Sequence, residues 1–236
     1  MVLAMALREV AEDLWVADSE MTVGGMPLSI RMTVIRQRDG RLILHSPIEI
    51  DDALAAEIDA LGPVRDLLAP NRLHHTFLLG AERRWPEASL WGAPGLVEKR
   101  PDLVFDEVLG DRSPPALAGT LETLLFAGAP LASEVVCFHG RTRTLIVTDL
   151  VFNIQHTRSR LSQLYLRASG AWQRVAQTPL MRMLIRERAA ARRSLERMFE
   201  WDFDRLIMAH GEIVETNAKP VLAEALAKLA PDLPRR

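Results

Sequence analysis

Near its N-terminus the chain runs Ser29-Ile-Arg-Met-Thr-Val-Ile-Arg-Gln-Arg-Asp-Gly-Arg-Leu-Ile-Leu-His45, and this stretch predicts a β-hairpin. Apolar and polar residues alternate in its first half, which is typical of a strand with one buried face. Asp39-Gly40 then supplies residue types that favour a two-residue turn, and the run from Arg41 to His45 is strand-like again. We therefore expect a hairpin here, with the remaining elements packed around it.

Strand and helix patterns alternate on the C-terminal side of this hairpin. Asp51 is a suitable cap for a helix from about Asp52 to Leu61, in which apolar residues recur at helical spacing, and Gly62-Pro63 ends it. A buried strand is predicted over Val64–Leu68, followed by a helix from His74 to Trp85. The first half of the chain is therefore expected to combine a hairpin with strand–helix units.

A second hairpin is predicted in the other half of the chain. It consists of strands over Ser133–His139 and Thr144–Val147, and after it come a helical block over Pro179–Glu200, a strand over Arg205–Met208 and a C-terminal helix that ends near Leu229. Two β-rich halves, each covered by helices, indicate two packed sheets with helices outside. We expect an α+β fold, a four-layer αββα sandwich in a single domain over residues 1–236. Periodicity alone also fits other α+β layouts.

Composition and charge exclude several classes of protein. The net charge is -2, from 29 basic and 31 acidic side chains, whereas nucleic-acid-binding proteins usually carry a basic excess. The one cysteine, Cys137, lies in an apolar strand pattern and is expected to be a buried small residue. The sequence contains no run of about 18 apolar residues, so we expect no membrane-spanning helix. The apolar start over Met1–Arg8 lacks the basic residues that precede the apolar part of a signal peptide, so we expect no signal peptide. We expect a cytoplasmic protein without nucleic-acid or membrane partners.

Polar side chains follow three of the predicted strands. His74-His75 comes after the strand that ends at Leu68, Asp149 follows the strand over Thr144–Val147, and His210 follows the strand over Arg205–Met208. Imidazole and carboxylate together suit zinc, iron or manganese, so these residues are candidate metal ligands. Each is equally explained as a structural residue, because histidines at strand ends often bond to carbonyl groups and an aspartate can tie a loop through backbone amides.

The chain resembles the metallo-β-lactamase superfamily. That resemblance rests on three stretches of sequence: Ala69-Pro-Asn-Arg-Leu-His-His75, Thr144-Leu-Ile-Val-Thr-Asp-Leu150 and Ile207-Met-Ala-His-Gly211. Within the superfamily it is most similar to the DUF4336 branch, through Asn71-Arg-Leu-His-His75, Trp91-Gly-Ala-Pro-Gly-Leu96 and Thr148-Asp-Leu-Val-Phe-Asn153. The resemblance spans roughly residues 10 to 225 and implies the metallo-β-lactamase type of αββα sandwich.

The resemblance also implies a metal site that has lost ligands. In the superfamily the first metal motif is Thr-His-x-His-x-Asp-His, whose last two residues fall on His74 and His75 in this chain, while the two leading histidines fall on Pro70 and Arg72. Neither proline nor the arginine cation can bind a metal. One metal of the usual pair is therefore expected to be missing.

The remaining ligands implied by the resemblance define one metal position. Asp149 matches the superfamily's metal-bridging aspartate and His210 its final histidine, with His74 or His75 as a further ligand. The middle histidine of the superfamily has no clear match, and His139 is the nearest candidate. We expect one divalent metal, zinc or else iron or manganese.

These residues predict a hydrolase-like protein that acts on a small molecule. Three protein ligands and a water form an open site, and a bound divalent ion lowers the pKa of its water to about 7, which suits hydrolysis of an ester, thioester, amide or phosphodiester. The catalytic candidates are Asp149 and the histidine of the His74-His75 pair that does not bind metal, with His74 as the first choice. The alternatives are a metal-free binding or scaffold protein that retains the fold, and oxygen chemistry on iron. The substrate and the oligomeric state stay open.

An arginine-rich helical block lies between Met181 and Trp201. We interpret it as a solvated face whose arginines pair with Glu187, Glu196 and Glu200. A face that binds anions or a membrane surface is the alternative interpretation.

Overall fold

The computed structural model describes residues 6–234, in which the strands form two sheets. The strands of the first sheet are β1 (Arg8–Ala11), β2 (Leu14–Val23), β3 (Met26–Arg36), β4 (Leu42–His45), β5 (Val64–Ala69), β6 (Ser89–Gly92) and β7 (Glu107–Val108). Those of the second sheet are β8 (Glu122–Leu125), β9 (Val135–His139), β10 (Thr144–Ile146) and β11 (Arg205–Ile207). The helices are α1 (Asp52–Leu61), α2 (Leu78–Arg84), α3 (Leu96–Lys99), α4 (Arg160–Ser169), α5 (Pro179–Leu184), α6 (Arg188–Met198) and α7 (Ala218–Leu226).

The first sheet has its strands in chain order from β1 to β7. The predicted hairpin is β3–β4, in which Thr33 pairs with His45 and Arg36 with Leu42, and Gly40 has the positive φ of 86° that its turn requires. Strands β1 to β4 are antiparallel, whereas β4 to β7 are parallel and are joined through α1, α2 and α3. The carboxyl ends of β4, β5 and β6 therefore lie along one edge of the sheet.

The second sheet has the order β11-β10-β9-β8. Strand β10 is antiparallel to β9, as the second predicted hairpin requires, and parallel to β11. Because β10 and β11 are parallel neighbours, the residues that follow them emerge side by side. His139, at the end of β9, pairs with Thr144 at the start of β10 and so lies at the opposite end of the sheet from Asp149.

Alternate residues of the second sheet face opposite layers, which makes the molecule four layers thick. Ile146 and Ile207 are buried in one apolar cluster with the strands of the first sheet. Their neighbours Leu145 and Leu206 are buried in a second cluster with apolar residues of α6 and α7. Helix α1 packs on the first sheet through Ile58. This arrangement confirms the predicted αββα sandwich.

Several predicted helices differ from the structure. The block predicted over Pro179–Glu200 is wrong as one helix: it is divided into α5 and α6, because the N–H groups of Arg186 and Glu187 donate to the carbonyl of Gly128. Helix α2 begins at Leu78 rather than His74, and α4 is absent from the sequence prediction.

Other expectations from the sequence can be checked against the described residues. Arg192 and Arg197 do form ion pairs, but with Asp232 and Asp111 rather than with the neighbouring glutamates. Cys137 is fully buried, as predicted, and burial raises the pKa of its thiol to about 12. None of the helices within residues 6–234 has the length and apolar character needed to cross a membrane. The prediction of no signal peptide concerns Met1–Arg8, and residues 1–5 of this stretch lie outside the described residues.

Candidate metal centre

Three side chains that are far apart in the sequence converge where the two sheets meet. His74 lies between β5 and α2, Asp149 follows β10, and His210 follows β11. His74 Nε2 is 3.1 Å from His210 Nε2 and 3.4 Å from Asp149 Oδ2, and His210 Nε2 is 3.3 Å from Asp149 Oδ1. We call these three residues the metal cluster.

The spacing of these atoms fits the coordination of one small ion. Two ligand atoms that each lie about 2.0–2.1 Å from a tetrahedral zinc are about 3.3–3.4 Å from each other. The separations of 3.1, 3.3 and 3.4 Å among the three side chains are close to that value. Among residues 6–234 this is the only group of three or more His, Cys, Asp or Glu side chains with ligand-like spacing. The residues present therefore fit a divalent metal ion.

The hydrogen bonds behind the cluster orient the two imidazole rings. His210 Nδ1 lies 2.6 Å from the carbonyl oxygen of Ser29, which can only accept, so Nδ1 carries the hydrogen and the lone pair of Nε2 faces the cluster. His74 Nδ1 lies 2.8 Å from the hydroxyl of Ser46. Two facing Nε2 atoms need a proton or a metal ion between them. Phe152 also packs on His210, with 4.2 Å between the ring centroids.

Asn71 connects two members of the cluster. Its side chain is fully buried, and its Nδ2 donates to Asp149 Oδ2 at 2.6 Å and to Thr148 Oγ1 at 2.8 Å. Its Oδ1 accepts from the N–H groups of Leu73 and His74, at 2.8 and 2.7 Å. One amide therefore fixes both the carboxylate and the loop that carries His74. Asn71 is part of a sequence stretch that carries the family resemblance, but that stretch alone does not indicate this role.

Glu134 holds the Asp149 loop from the other side. Its fully buried carboxylate accepts from the N–H groups of Thr148 and Asp149, at 2.7 and 2.9 Å. Burial, together with the negative charge of Asp149, raises the pKa of Glu134 to about 7. Sequence analysis missed this residue, although a carboxylate directly before the apolar run Val135–Phe138 is a detectable signal.

The charges within the cluster favour an ionised carboxylate. Burial alone would raise the pKa of Asp149, but the adjacent His74 and His210 outweigh it and hold this pKa well below its usual range. Burial alone would lower the pKa of His74, but the carboxylates of Asp149 and Glu134 outweigh it and raise this pKa. Asp149 is therefore an anion that attracts a cation, either a proton on His74 or a metal ion.

The structure places two other candidate ligands outside the metal cluster. His75 Nδ1 lies 3.0 Å from a guanidinium nitrogen of Arg100. Burial, with the charges of Lys99 and Arg100, lowers the pKa of His75 to about 4. His139 Nδ1 lies 2.7 Å from the hydroxyl of Thr142, at the far end of the second sheet. Of the His74-His75 pair, it is therefore His74 that approaches Asp149. His75, the other histidine of the pair, instead contacts the guanidinium cation of Arg100.

The metal cluster lines a cleft of about 420 Å³. The other walls come from β2, β3, α4 and α5 and from the loop after β10, and they are mostly apolar; they include Val23, Leu28, Ile30, Phe152, Leu166 and Leu180. Within the described part of the chain no lysine or arginine lines this cleft. Its chemistry therefore suits a ligand that is largely apolar and lacks a strong negative charge.

Comparison with known proteins supports the fold and the family resemblance. The family model described as "Domain of unknown function (DUF4336)" matches residues 11–98. A metallo-beta-lactamase from Pontibacter korlensis is similar in structure, with a TM-score of 0.66 and 14% sequence identity over 95% of this chain and 98% of that chain. FIM-1 from Pseudomonas aeruginosa, a metallo-beta-lactamase in its mono-zinc form, is similar with a TM-score of 0.64 and 13% sequence identity. The match covers 98% of this chain and 96% of that chain.

A different kind of protein shares the same architecture. The metal-soaked Flv1 flavodiiron core from Synechocystis sp. PCC6803 has a TM-score of 0.66 and 11% identity, over 96% of this chain and 61% of that one. No curated protein sequence matches the chain. The chain thus has the metallo-β-lactamase fold, and its resemblance to the DUF4336 branch is confirmed over residues 11–98.

Proposed function

We propose that this protein is a metal-dependent hydrolase that binds one divalent ion through His74, Asp149 and His210. The observation that carries the proposal is the convergence of their three ligand atoms at 3.1 to 3.4 Å. A divalent ion at this point would supply Lewis-acid chemistry, because it makes water more acidic and polarises a carbonyl or phosphoryl oxygen. The fold is also that of known metallo-beta-lactamases, one of which has been seen with a single zinc ion.

A single ion is favoured over a pair by the residues around the cluster. Pro70 and Arg72 stand where the superfamily has its two leading histidines, and the guanidinium of Arg72 lies 3.4 Å from the carbonyl oxygen of Pro130. His75 is directed to Arg100. These contacts support a site with three protein ligands and an open position for water or substrate.

The protein's own residues would perform the other tasks of such a hydrolase. Asn71 and Glu134 hold the ligands in place before substrate binds, and the apolar cleft positions the substrate and excludes bulk water from it. The substrate would be a small molecule with a hydrolysable carbonyl group and an apolar body.

Metal analysis of the purified protein tests the proposal. We expect about one zinc, iron or manganese ion per chain in protein prepared without chelators, and its loss in the variants His74→Ala, Asp149→Ala and His210→Ala. The matched controls are His75→Ala and His156→Ala, which remove imidazoles outside the metal cluster. Circular dichroism would establish that each variant is folded. Iron with visible colour would instead support oxygen chemistry at the two histidines and one carboxylate.

A metal-free binding protein is the second candidate function. It is favoured by the contacts that each cluster residue already makes, because His74, Asp149 and His210 bond to one another and to Ser46, Asn71 and Ser29. A wild-type protein without metal, which also fails to take up added zinc, would contradict the hydrolase and support this alternative.

A further inference from the structure

One segment of the chain has a charge unlike that of the rest. Residues 151–186, which include α4 and α5, contain six arginines and no aspartate, glutamate or lysine. The segment therefore carries +6, and since the whole chain carries -2, the remainder carries -8. The arginines are Arg158, Arg160, Arg167, Arg174, Arg182 and Arg186.

These arginines are not used to pair with carboxylates. Across residues 6–234, arginines such as Arg36, Arg143 and Arg197 form ion pairs with aspartates, whereas none of the six in residues 151–186 does. Two of the six make other contacts: Arg182 donates to the carbonyl of Ser169 at 3.2 Å, and Arg167 lies over the ring of Trp172. The segment therefore presents positive charge that the described residues leave uncompensated.

Large apolar side chains are exposed between the arginines. On α4, Leu161 and Leu164 are 64% and 67% exposed, and on α5, Leu180 and Met183 are 52% and 70% exposed. Residues three apart lie on the same side of a helix, so each pair forms one apolar ridge. Arg182 of α5 bonds to the last residue of α4, which joins the two helices into one surface. We call α4 and α5, with these four apolar side chains and the six arginines of residues 151–186, the α4–α5 face.

We propose that the α4–α5 face docks on an anionic membrane surface. Exposed leucine and methionine flanked by arginine is the arrangement by which a helix lies in the lipid interface, with its apolar side chains among the acyl chains and its cations at the headgroups. Each arginine near an anionic leaflet adds attraction that salt weakens. Sequence analysis expected no membrane partner; the exposed ridges and the uncompensated charge become visible only in the folded chain.

The α4–α5 face adjoins the cleft, so docking would bring the cleft to the membrane surface. Tyr165 and Leu166 of α4 and Leu180 of α5 line the cleft that contains the metal cluster. An apolar ligand could then pass from the lipid into the cleft without crossing water. This last step rests on the proposed hydrolase function, whereas docking itself needs no metal.

A second copy of the chain fits the α4–α5 face less well. A symmetric dimer through this face would bring together two copies of a segment that carries +6 and contains no carboxylate side chain, and like charges repel. An acidic protein would satisfy the charge but would not account for four protruding aliphatic side chains.

Vesicle co-sedimentation of the full chain tests the docking. We expect the wild-type protein to sediment with phosphatidylcholine vesicles that contain phosphatidylglycerol, to stay in solution with phosphatidylcholine alone, and to be released by high salt. The double variant Arg158→Gln/Arg160→Gln should partition roughly 10- to 30-fold more weakly. Its matched control is Arg83→Gln/Arg193→Gln, which removes two exposed arginines elsewhere and should bind as the wild type does.

The apolar contribution is tested in the same assay with Leu161→Ser/Leu164→Ser. Its matched control, Val104→Ser/Val108→Ser, removes exposed apolar side chains that lie outside the α4–α5 face. We expect the leucine variant to bind vesicles more weakly than the wild type, and the valine control to bind as the wild type does. Absence of wild-type binding, or equal loss in the control variants, would overturn the proposal. So would a dimer in solution that the leucine substitutions convert to monomer. Since the metal-binding variant Asp149→Ala should still sediment, failure of the hydrolase proposal would be distinguished from failure of docking.

Discussion

Asn71 is the residue on which the geometry of the metal cluster most depends. An amide is suited to its position because it donates to Asp149 with one end and accepts from the backbone N–H of His74 with the other. An aspartate could not donate to a second carboxylate, and an apolar residue would leave buried groups without partners. Asn71 would therefore act on a bound metal ion only through Asp149 and His74, which makes it a positioning residue.

We expect Asn71→Ala to weaken metal binding by about 10- to 100-fold, which is the usual effect of removing a partner that orients metal ligands. Competition with a chromophoric zinc chelator would measure the affinity. Thr148→Val is the matched control, because it removes another contact of Asn71 and leaves both links to the metal ligands intact. Equal losses in the two variants would mean that Asn71 acts through general stability and not through the ligands.

The hairpin of β9 and β10 carries polar groups at both ends, and the two ends differ in function. Asp149 follows β10 at the end near the cleft, whereas His139 ends β9 at the other. Burial, with the charge of Arg141, lowers the pKa of His139 to about 4 from its ordinary value of 6.5. The side chain is 2% exposed and bonds to Thr142. His139 thus acts as a neutral, structural residue of the hairpin.

The depressed pKa of His139 predicts a loss of stability in acid. As pH falls below 6.5 the unfolded chain takes up a proton at this site, but the folded chain does so only near pH 4, so stability present above pH 6.5 declines between these values. We expect the drop in unfolding free energy between pH 8 and pH 5 to be smaller by about 1–2 kcal/mol in His139→Gln. Urea unfolding at both pH values measures it. An equal reduction of the drop in His156→Gln, which removes an exposed histidine, would contradict the assignment to His139.

Elements with strong local signals are the ones that the sequence predicts correctly. The hairpin of β3 and β4 follows from Asp39-Gly40, and α1 follows from its cap, since Asp51 accepts from the N–H of Leu54. Helix α4, which is absent from the sequence prediction, has similar signals: Ser159 is its cap, and Gly170 at its end lies in the left-handed region. The division between α5 and α6 could not be predicted, because it depends on the carbonyl of the distant Gly128.

The same distinction applies to the metal cluster. Its three residues are visible in the sequence because each follows a strand, and parallel neighbours β10 and β11 bring Asp149 and His210 together. The choice of His74 over His75 depends on the loop that Asn71 holds, and that amide bonds to a residue 78 positions away. Periodicity contains no information on such contacts, so the roles of Asn71 and Glu134 emerge only from the folded chain.

At the scale of the whole molecule, the metal cluster connects the two sheets. His74 comes from the loop after β5 of the first sheet, whereas Asp149 and His210 follow strands of the second. The unfolded chain cannot hold these three groups together, since more than 130 positions separate the first from the last. A metal ion should therefore bind the folded state almost exclusively, and binding of that kind raises the stability of the entire fold.

Added zinc is accordingly expected to stabilise the metal-free protein against heat. At a free zinc concentration 100 times the dissociation constant, the gain is about 2.7 kcal/mol, which for a chain of this length corresponds to a rise of roughly 5–10 °C in Tm. Calorimetry of protein treated with a chelator and then dialysed would measure it. Asp149→Asn should lose the rise, because the anion that attracts the ion is gone, whereas Asp202→Asn, which neutralises an exposed carboxylate, should retain it. An equal rise in both variants would mean that zinc binds elsewhere, and its absence from the wild type would contradict the metal centre.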